Sequence, residues 1–211
     1  MLTFYHSPWS RSSRVLGLLC AMDRLDAVSL RLVSIPRQDD SGRRDPLNPH
    51  PEGKVPLLVE DGVAVWESAA IMLHLTDRFP EAGWGVPVGD PRRGRYVSWM
   101  TWYAGVVEPV LILHAAGLSH PYVEGSLRGL PEVWARIARA LEEGPWLMGS
   151  RPTAADLLLA SPFQWFEGLD PGGPAARDWV ARCGALPGLD RARALDAEMM
   201  AALAGAEGVA A

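Results

Sequence analysis

The stretch Lys54-Val55-Pro56-Leu57-Leu58 and the later pair Glu67-Ser68 leave this chain little choice of local structure. A proline is tolerated at the first residue of a strand, so a short apolar strand begins at Pro56. Asp61-Gly62 is the two-residue signal that turns such a strand back on itself. The return strand is Val63-Ala64-Val65-Trp66, and at Glu67-Ser68 an apolar helical pattern takes over. A proline at a strand start leaves a neighbouring main-chain group unpaired, and a serine at a helix start points polar groups outward. The hairpin therefore makes a pocket edge, with main-chain partners on one side and a helix N-terminus on the other. Such an edge suits a small peptide carrying carboxylates.

The segments around the hairpin extend it into a domain. Leu2 to His6 reads as a strand and residues 11–22 as a helix. Val28, Leu30 and Leu32 alternate with Ser29 and Arg31, the period of a second strand. Strand, helix and strand at this spacing imply a parallel right-handed crossover. Residues 36–50 are polar and rich in Pro, Arg and Asp, which predicts a loop with room for a short helix. A helix is expected over Ser68 to Arg78. The order β-α-β-α-β-β-α predicts an α/β domain of thioredoxin-like type over residues 1–80.

Residues 79–90 carry the glycines and prolines of a linker, and Asp90-Pro91 offers an N-cap with a first-turn proline. A long helical pattern runs through Trp99, Trp102, Tyr103, Val106 and Val107, with a kink expected at Pro109. A further helix is predicted over residues 122–143. Thr153-Ala154-Ala155-Asp156 reads as a capping box before Leu157-Leu158-Leu159, with Asp where Glu is usual. Two short helices are expected near Asp178-Trp179 and from Leu189. No strand pattern is convincing beyond residue 67, so residues 90–211 read as an all-helical C-terminal domain.

Composition excludes several functions. A 211-residue chain with 48% hydrophobic residues has enough apolar side chain for a real core. A net charge of −5 argues against nucleic acid as partner. Cys20 and Cys183 are far apart and share no metal or redox spacing, and His6, His74, His114 and His120 are scattered, so no metal site is expected. The longest apolar stretch, residues 106–118, is interrupted by Glu108 and Pro109 and predicts no membrane span. The N-terminus lacks a basic segment and a long apolar run, so a cytoplasmic protein is expected.

The motifs taken in order resemble a bacterial glutathione S-transferase over about 200 residues. Tyr5-His6-Ser7-Pro8-Trp9-Ser10-Arg11-Ser12-Ser13-Arg14-Val15 resembles the active-site loop of the serine-type theta, delta and zeta classes. Asn48-Pro49, Lys54-Val55-Pro56 and Glu67-Ser68-Ala69-Ala70-Ile71 resemble the glutathione site, and the Thr153–Asp156 box resembles that of the central C-terminal helix. The resemblance implies that Val55 pairs its backbone with the cysteinyl unit, with the Val55-Pro56 bond cis. It implies that Glu67 and Ser68 hold the γ-glutamyl end, and that Lys54 and His50 lie near the glycine carboxylate. It gives the catalytic hydroxyl to Ser10, with Ser12 as alternative. Arg11 falls where cysteine-type enzymes carry their cysteine, against glutaredoxin-like chemistry.

Glutathione is then a co-substrate, and the partners implied are a small hydrophobic electrophile, with Trp9, Trp99 and Tyr103 as candidate contacts, and a second copy in a homodimer. The role expected is detoxification by conjugation. The competing readings are a non-catalytic binding protein of the same fold and a glutathione-dependent isomerase. Taken singly, Ser10, Ser12, Ser13 and Ser68 are equally helix caps, Lys54 is a solvated loop residue, and Trp99, Trp102 and Tyr103 are equally core. Two further expectations concern contacts. The Ile71, Met72 and Leu75 face, as an exposed stripe, and the first turns of the helix after Pro91 are expected to form the dimer contact. Arg92, Arg93 and Arg95 read either as a solvated helix start or as seeking acidic partners, with a dimer interface as one place for them.

The chemistry has a magnitude. A free thiol of pKa ~8.5 must fall by about two units to ionise at neutral pH, roughly 2.7 kcal/mol. One hydrogen bond to a charged group contributes about 1.5–3 kcal/mol, and a helix N-terminus about 0.3–1 kcal/mol. A single serine hydroxyl at a helix start is therefore sufficient.

Overall fold

A computed structural model describes residues 1–166 and 168–209, and the chain divides into two compact units. The first comprises Met1–Leu75 and Leu186–Ala211, the second Thr76–Ala185.

The first unit holds a four-stranded sheet in the order β2-β1-β3-β4, with β1 Leu2–His6, β2 Ser29–Leu32, β3 Leu57–Glu60 and β4 Val63–Trp66. The β1–β2 pair is parallel, and β3 runs antiparallel to both β1 and β4. This is the mixed sheet that the alternation and the hairpin predict. Asp61 (φ 48°) and Gly62 (φ 86°) both take the left-handed region that a tight hairpin requires. Along β1, Leu2, Phe4 and His6 point inward and are buried, while Thr3 and Tyr5 are half-buried. Helix α1, Ser13–Ala21, is buried from Arg14 to Cys20, and beyond Arg14 this follows from the apolar run Val15 to Cys20. Residues 36–50 form turns without a helix, so the helix after the hairpin, α2 (Ser68–Arg78), is the second and not the third.

The predicted dimer stripe on α2 is corrected by the structure. Ile71, Met72 and Leu75 are each 0% exposed, so this face is spent within the chain. Sequence periodicity shows that a helix has an apolar face but not what covers it.

The second unit is helical among its described residues: α3 Arg93–Trp102, α4 Glu108–Ala115, α5 Pro121–Leu127, α6 Leu130–Leu141, α7 Ala154–Trp165 and α8 Pro174–Gly184. Between α3 and α4 the chain widens into a π-helical turn, Tyr103–Val107, immediately before Pro109. Proline has no N–H for the carbonyl four residues back and crowds it, so the expected kink is taken up as this bulge. The single helix predicted over residues 122–143 is two helices. Arg128 (φ 70°) and Gly129 (φ 133°) leave helical geometry, and Pro131 restarts α6 in its first turn.

The Arg-rich start of α3 finds acids within the chain. Arg92 pairs with Asp90 at 2.7 Å, Arg93 with Asp77 at 2.6 Å and Arg95 with Glu143 at 2.6 Å. Asp90 accepts both the backbone and side-chain N–H groups of Arg92, which hold its pKa down at about 2. The capping box is present: the Thr153 N–H donates to the Asp156 carboxylate at 2.8 Å.

The last helix, α9 (Leu189–Val209), belongs to the first unit and packs on α1. Gly188 makes this approach possible. It has φ 85°, and a Cβ there would sit 2.5 Å from the Cys20 carbonyl oxygen.

Candidate active site at the sheet end

Strand register brings the predicted site residues together. His6 ends β1 opposite Leu32, the end of β2. Tyr5 pairs with Leu57, the first residue of β3 after Val55-Pro56, and Leu57 pairs with Trp66, the last residue of β4 before Glu67-Ser68. The Ser7–Ser12 loop, the Val55-Pro56 segment and the Glu67-Ser68 turn therefore lie at one end of one sheet. Helices α1 and α2 both begin there, so their positive ends flank it. The Val55-Pro56 bond is cis, as the resemblance implied.

Two residues of this end carry backbone strain. Trp9 has φ 51° and Glu67 has φ 70°, the left-handed region that costs a residue with a Cβ about 1–2 kcal/mol. Strain of this kind clusters at ligand clamps. Glu67 accepts the Ile71 N–H at 2.9 Å through its carbonyl and so opens α2, while its side chain is exposed and Ser68 is buried. Trp9 is 64% exposed.

The loop that brings Asn48, His50 and Lys54 to this end is held by its own polar groups. The Asn48 Nδ2 donates to the Lys54 carbonyl at 3.0 Å, and its Oδ1 accepts the His50 N–H at 3.1 Å. His50 is buried, and its Nδ1 accepts the Glu52 N–H at 3.1 Å. Lys54 is exposed and paired with Glu52.

The serines differ sharply in placement. Ser10 is half-buried, and its Oγ lies 2.7 Å from the Ser7 carbonyl oxygen and 2.8 Å from Ser12 Oγ. Ser12 is 0% exposed. Its Oγ accepts the Ser7 N–H at 3.1 Å and lies 2.8 Å from His6 Nδ1. His6, also fully buried, sets its Nε2 2.8 Å from Asp196 Oδ1 on α9. Arg37 donates to the Pro8 carbonyl at 2.8 Å and to Ser7 Oγ at 3.2 Å, fixing the loop from outside.

His6, Asp196 and Arg37 were not among the predicted site residues. One signal was legible: a histidine at the inward position of β1, in register with Leu2 and Phe4, needs a buried polar partner. Asp196 lies 190 residues away, and nothing in the sequence pairs the two.

Trp99 and Tyr103 belong to the second unit and are 6% and 1% exposed. Trp99 packs edge-on against Trp102 and lines a 190 Å³ cavity with Arg95, Arg136 and Arg139. A larger, mainly apolar cavity of 410 Å³ lies among α4, α5 and α6, walled by Val110, Leu113, Val123, Leu130 and Trp134. Cys20 and Cys183 are free and buried, and burial pushes both thiols up, away from the reactive thiolate.

A mixed four-stranded sheet with a cis-proline hairpin beside a helix start, followed in the chain by a helical unit, is a thioredoxin-like unit joined to an all-helical one. Comparison with known proteins makes this specific. The family profile described as "Glutathione S-transferase, N-terminal domain" matches residues 4–83, and that described as "Glutathione S-transferase, C-terminal domain" matches residues 121–186. The chain belongs to the glutathione S-transferase family.

Glutathione S-transferase GstA of Escherichia coli O157:H7 is 28% identical over 118 residues, 55% of this chain and 59% of that protein. The match thus spans under two thirds of this curated relative. A glutathione transferase crystal structure from Methylococcus capsulatus superposes with a TM-score of 0.72 at 25% identity, covering 93% of this chain and 99% of that one. A sphingomonad glutathione S-transferase complexed with glutathione shares the fold, with a TM-score of 0.71 at 20% identity over 92% and 98% of the two chains.

Proposed function

We propose that this chain binds glutathione at the sheet end and conjugates its thiolate to a small apolar electrophile, with Ser10 as the hydroxyl that meets the sulfur. The convergence of the Ser10 loop, Val55-Pro56 and Glu67-Ser68 carries the reading. Two inter-strand spacings separate β1 from β4, about 10 Å, and three extended residues span about the same distance. The tripeptide then lies across β3, its cysteinyl unit on the Val55 backbone and its γ-glutamyl end at Glu67 and Ser68. His50 and Lys54 serve the glycine carboxylate. The sphingomonad relative, solved with glutathione, supports the ligand's identity.

Exposure favours Ser10 over Ser12 as the hydroxyl at the sulfur, because Ser12 is fully buried behind it. This supports the serine-type assignment. For the electrophile, Trp9 is the exposed aromatic beside Ser10. A homodimer belongs to the proposal. Its support is the edge strand β4, which shows Val63 (67% exposed) and Trp66 (53% exposed) and has a free side for pairing. Two buried, unpaired cysteines suit a reducing compartment such as the cytoplasm.

One observation favours the binding-protein reading. The Ser10 hydroxyl already has acceptors inside the loop, Ser7 O and Ser12 Oγ. Glutathione-affinity capture followed by turnover of a panel of aryl halides, peroxides and unsaturated acids separates the readings. Capture with turnover supports the transferase, capture without turnover supports the binder, and failure of capture removes both.

A further inference from the structure

We infer that His6 and Asp196 form a buried proton store for the active-site hydroxyl, linked to it through Ser12. This inference rests on the proposed glutathione site. The chain of contacts is Asp196 Oδ1–His6 Nε2 at 2.8 Å, His6 Nδ1–Ser12 Oγ at 2.8 Å and Ser12 Oγ–Ser10 Oγ at 2.8 Å. Its inner members are closed to solvent: His6 and Ser12 are 0% exposed and Asp196 is 5% exposed. Only Ser10, at the outer end, is half-buried.

Hydrogen bookkeeping decides what this chain can do. A carboxylate only accepts, so Asp196 fixes the proton of a neutral His6 on Nε2 and leaves Nδ1 as an acceptor. Ser12 must then give its single hydrogen to Nδ1 or to the Ser7 carbonyl oxygen, 2.9 Å away. Ser10 gives its own to Ser12 Oγ or to the Ser7 carbonyl oxygen. With neutral His6 the chain runs inward. The outer hydroxyl reaches a thiolate only by leaving these acceptors.

A second proton on His6 reverses the chain. Nδ1–H donates to Ser12 Oγ, Ser12 O–H turns to Ser10 Oγ, and Ser10 O–H points out of the loop. The proton that drives the reversal is the thiol's own. The S–H bond breaks as its proton passes to Ser10 Oγ, the Ser10 proton passes to Ser12 Oγ, and the Ser12 proton passes to His6 Nδ1. The products are a thiolate and an imidazolium, with no change of oxidation state. The imidazolium stands against the Asp196 carboxylate, and the thiolate accepts from Ser10. After conjugation the proton returns outward by the same path to the leaving group or to water. Among the groups bonded to the loop, Arg37 can only donate, and Ser7 and Ser13 contribute hydroxyls and main-chain groups. His6 and Asp196 are thus positioning residues, acting on the sulfur only through the two serines.

The test uses the intact protein with glutathione as the probe. Nitrogen-15 NMR of the His6 ring, in protein labelled at histidine, is expected to show a neutral ring protonated on Nε2 in free protein and a doubly protonated ring when glutathione is saturating at pH 7. The ultraviolet thiolate band should appear in step with that change. Asp196→Asn keeps an acceptor for Nε2–H but removes the charge that stabilises the imidazolium. It should raise the bound thiol's pKa by about one unit or more, lowering the thiolate-to-thiol ratio at pH 7 about tenfold, while glutathione affinity stays within a few-fold. Adding Ser10→Ala to Asp196→Asn should cost little beyond the larger single effect.

A thiolate that forms while His6 stays neutral overturns the store, as does an Asp196→Asn variant whose bound thiol ionises like the parent's. If Asp196→Asn does not fold, the NMR experiment on the unaltered protein decides alone. If the unaltered protein binds no glutathione, the site itself is refuted, an outcome distinct from failure of the store.

Discussion

Replacing Asp156 by alanine should nearly unfold the helical unit, and the structure allows the loss to be worked out. The Asp156 carboxylate is 0% exposed and accepts from the Leu147 N–H at 2.9 Å, the Thr153 N–H at 2.8 Å, the Thr153 hydroxyl at 3.1 Å and the Trp179 indole N–H at 3.0 Å. Losing a helix cap costs about 1–2 kcal/mol. Each further buried donor left without a partner costs about 1–3 kcal/mol, and here Leu147 and Trp179, both 0% exposed, are left so. Part is returned, because burial pushes the Asp156 carboxyl up and its charge is held against that cost. The net expectation is about 3–5 kcal/mol, a large share of the roughly 5–15 kcal/mol that holds a domain folded. Urea denaturation followed by tryptophan fluorescence and by far-ultraviolet dichroism measures it. Asp156→Asn should fall between parent and alanine, since one oxygen still accepts but the amide faces the Thr153 donors. A loss below about 1 kcal/mol for Asp156→Ala would refute the idea that these four contacts act as one anchor.

Further outcomes follow from the same reasoning. Glu67→Ala and Ser68→Ala should each weaken glutathione binding by about 1–3 kcal/mol by titration calorimetry, the worth of a charge-assisted contact. Cys20→Ser should leave turnover close to the parent's, because burial keeps that thiol protonated; a large loss with the fold intact would bring back a cysteine mechanism. Tyr96 is buried and donates or accepts at Thr76 Oγ1, and burial raises its pKa to about 12. Its contribution to stability should be full below about pH 10, the unfolded value, and decline as pH rises through about 12, by up to roughly 2.7 kcal/mol. Tyr96→Phe should remove that slope from alkaline denaturation curves. Light scattering at micromolar concentration should give twice the chain mass, and Trp66→Glu should shift it toward the monomer if β4 carries the contact.

What could be read from the sequence was local. Asp61-Gly62 fixes a hairpin because only certain residues enter the left-handed region cheaply, and Thr153 with Asp156 fixes a helix start because side chains must cap it. Pro109 foretold a disturbance, although its form as a π-helical turn upstream depends on packing. The hidden part was partnership over distance. Ile71, Met72 and Leu75 look alike whether a second chain or their own chain covers them. Arg93 and Arg95 needed acids that turned out to be Asp77 and Glu143 of the same chain. The Arg128-Gly129 break was legible in part, since Gly125, Gly129 and Pro131 all interrupt the helical pattern there. In the candidate site, the hairpin residues and the serine loop were legible as motifs. The order of burial among Ser10 and Ser12, and the His6–Asp196 pair behind them, were not.

The ultraviolet thiolate band of bound glutathione, compared between the unaltered protein and Ser10→Ala at neutral pH, tests the central claim most directly. The account predicts a clear band in the parent, and in Ser10→Ala a raised thiol pKa, conjugation slower by about ten- to a hundredfold and affinity changed only a few-fold. An equal band in both proteins, or the loss appearing in Ser12→Ala alone, would contradict the placement of Ser10 at the sulfur.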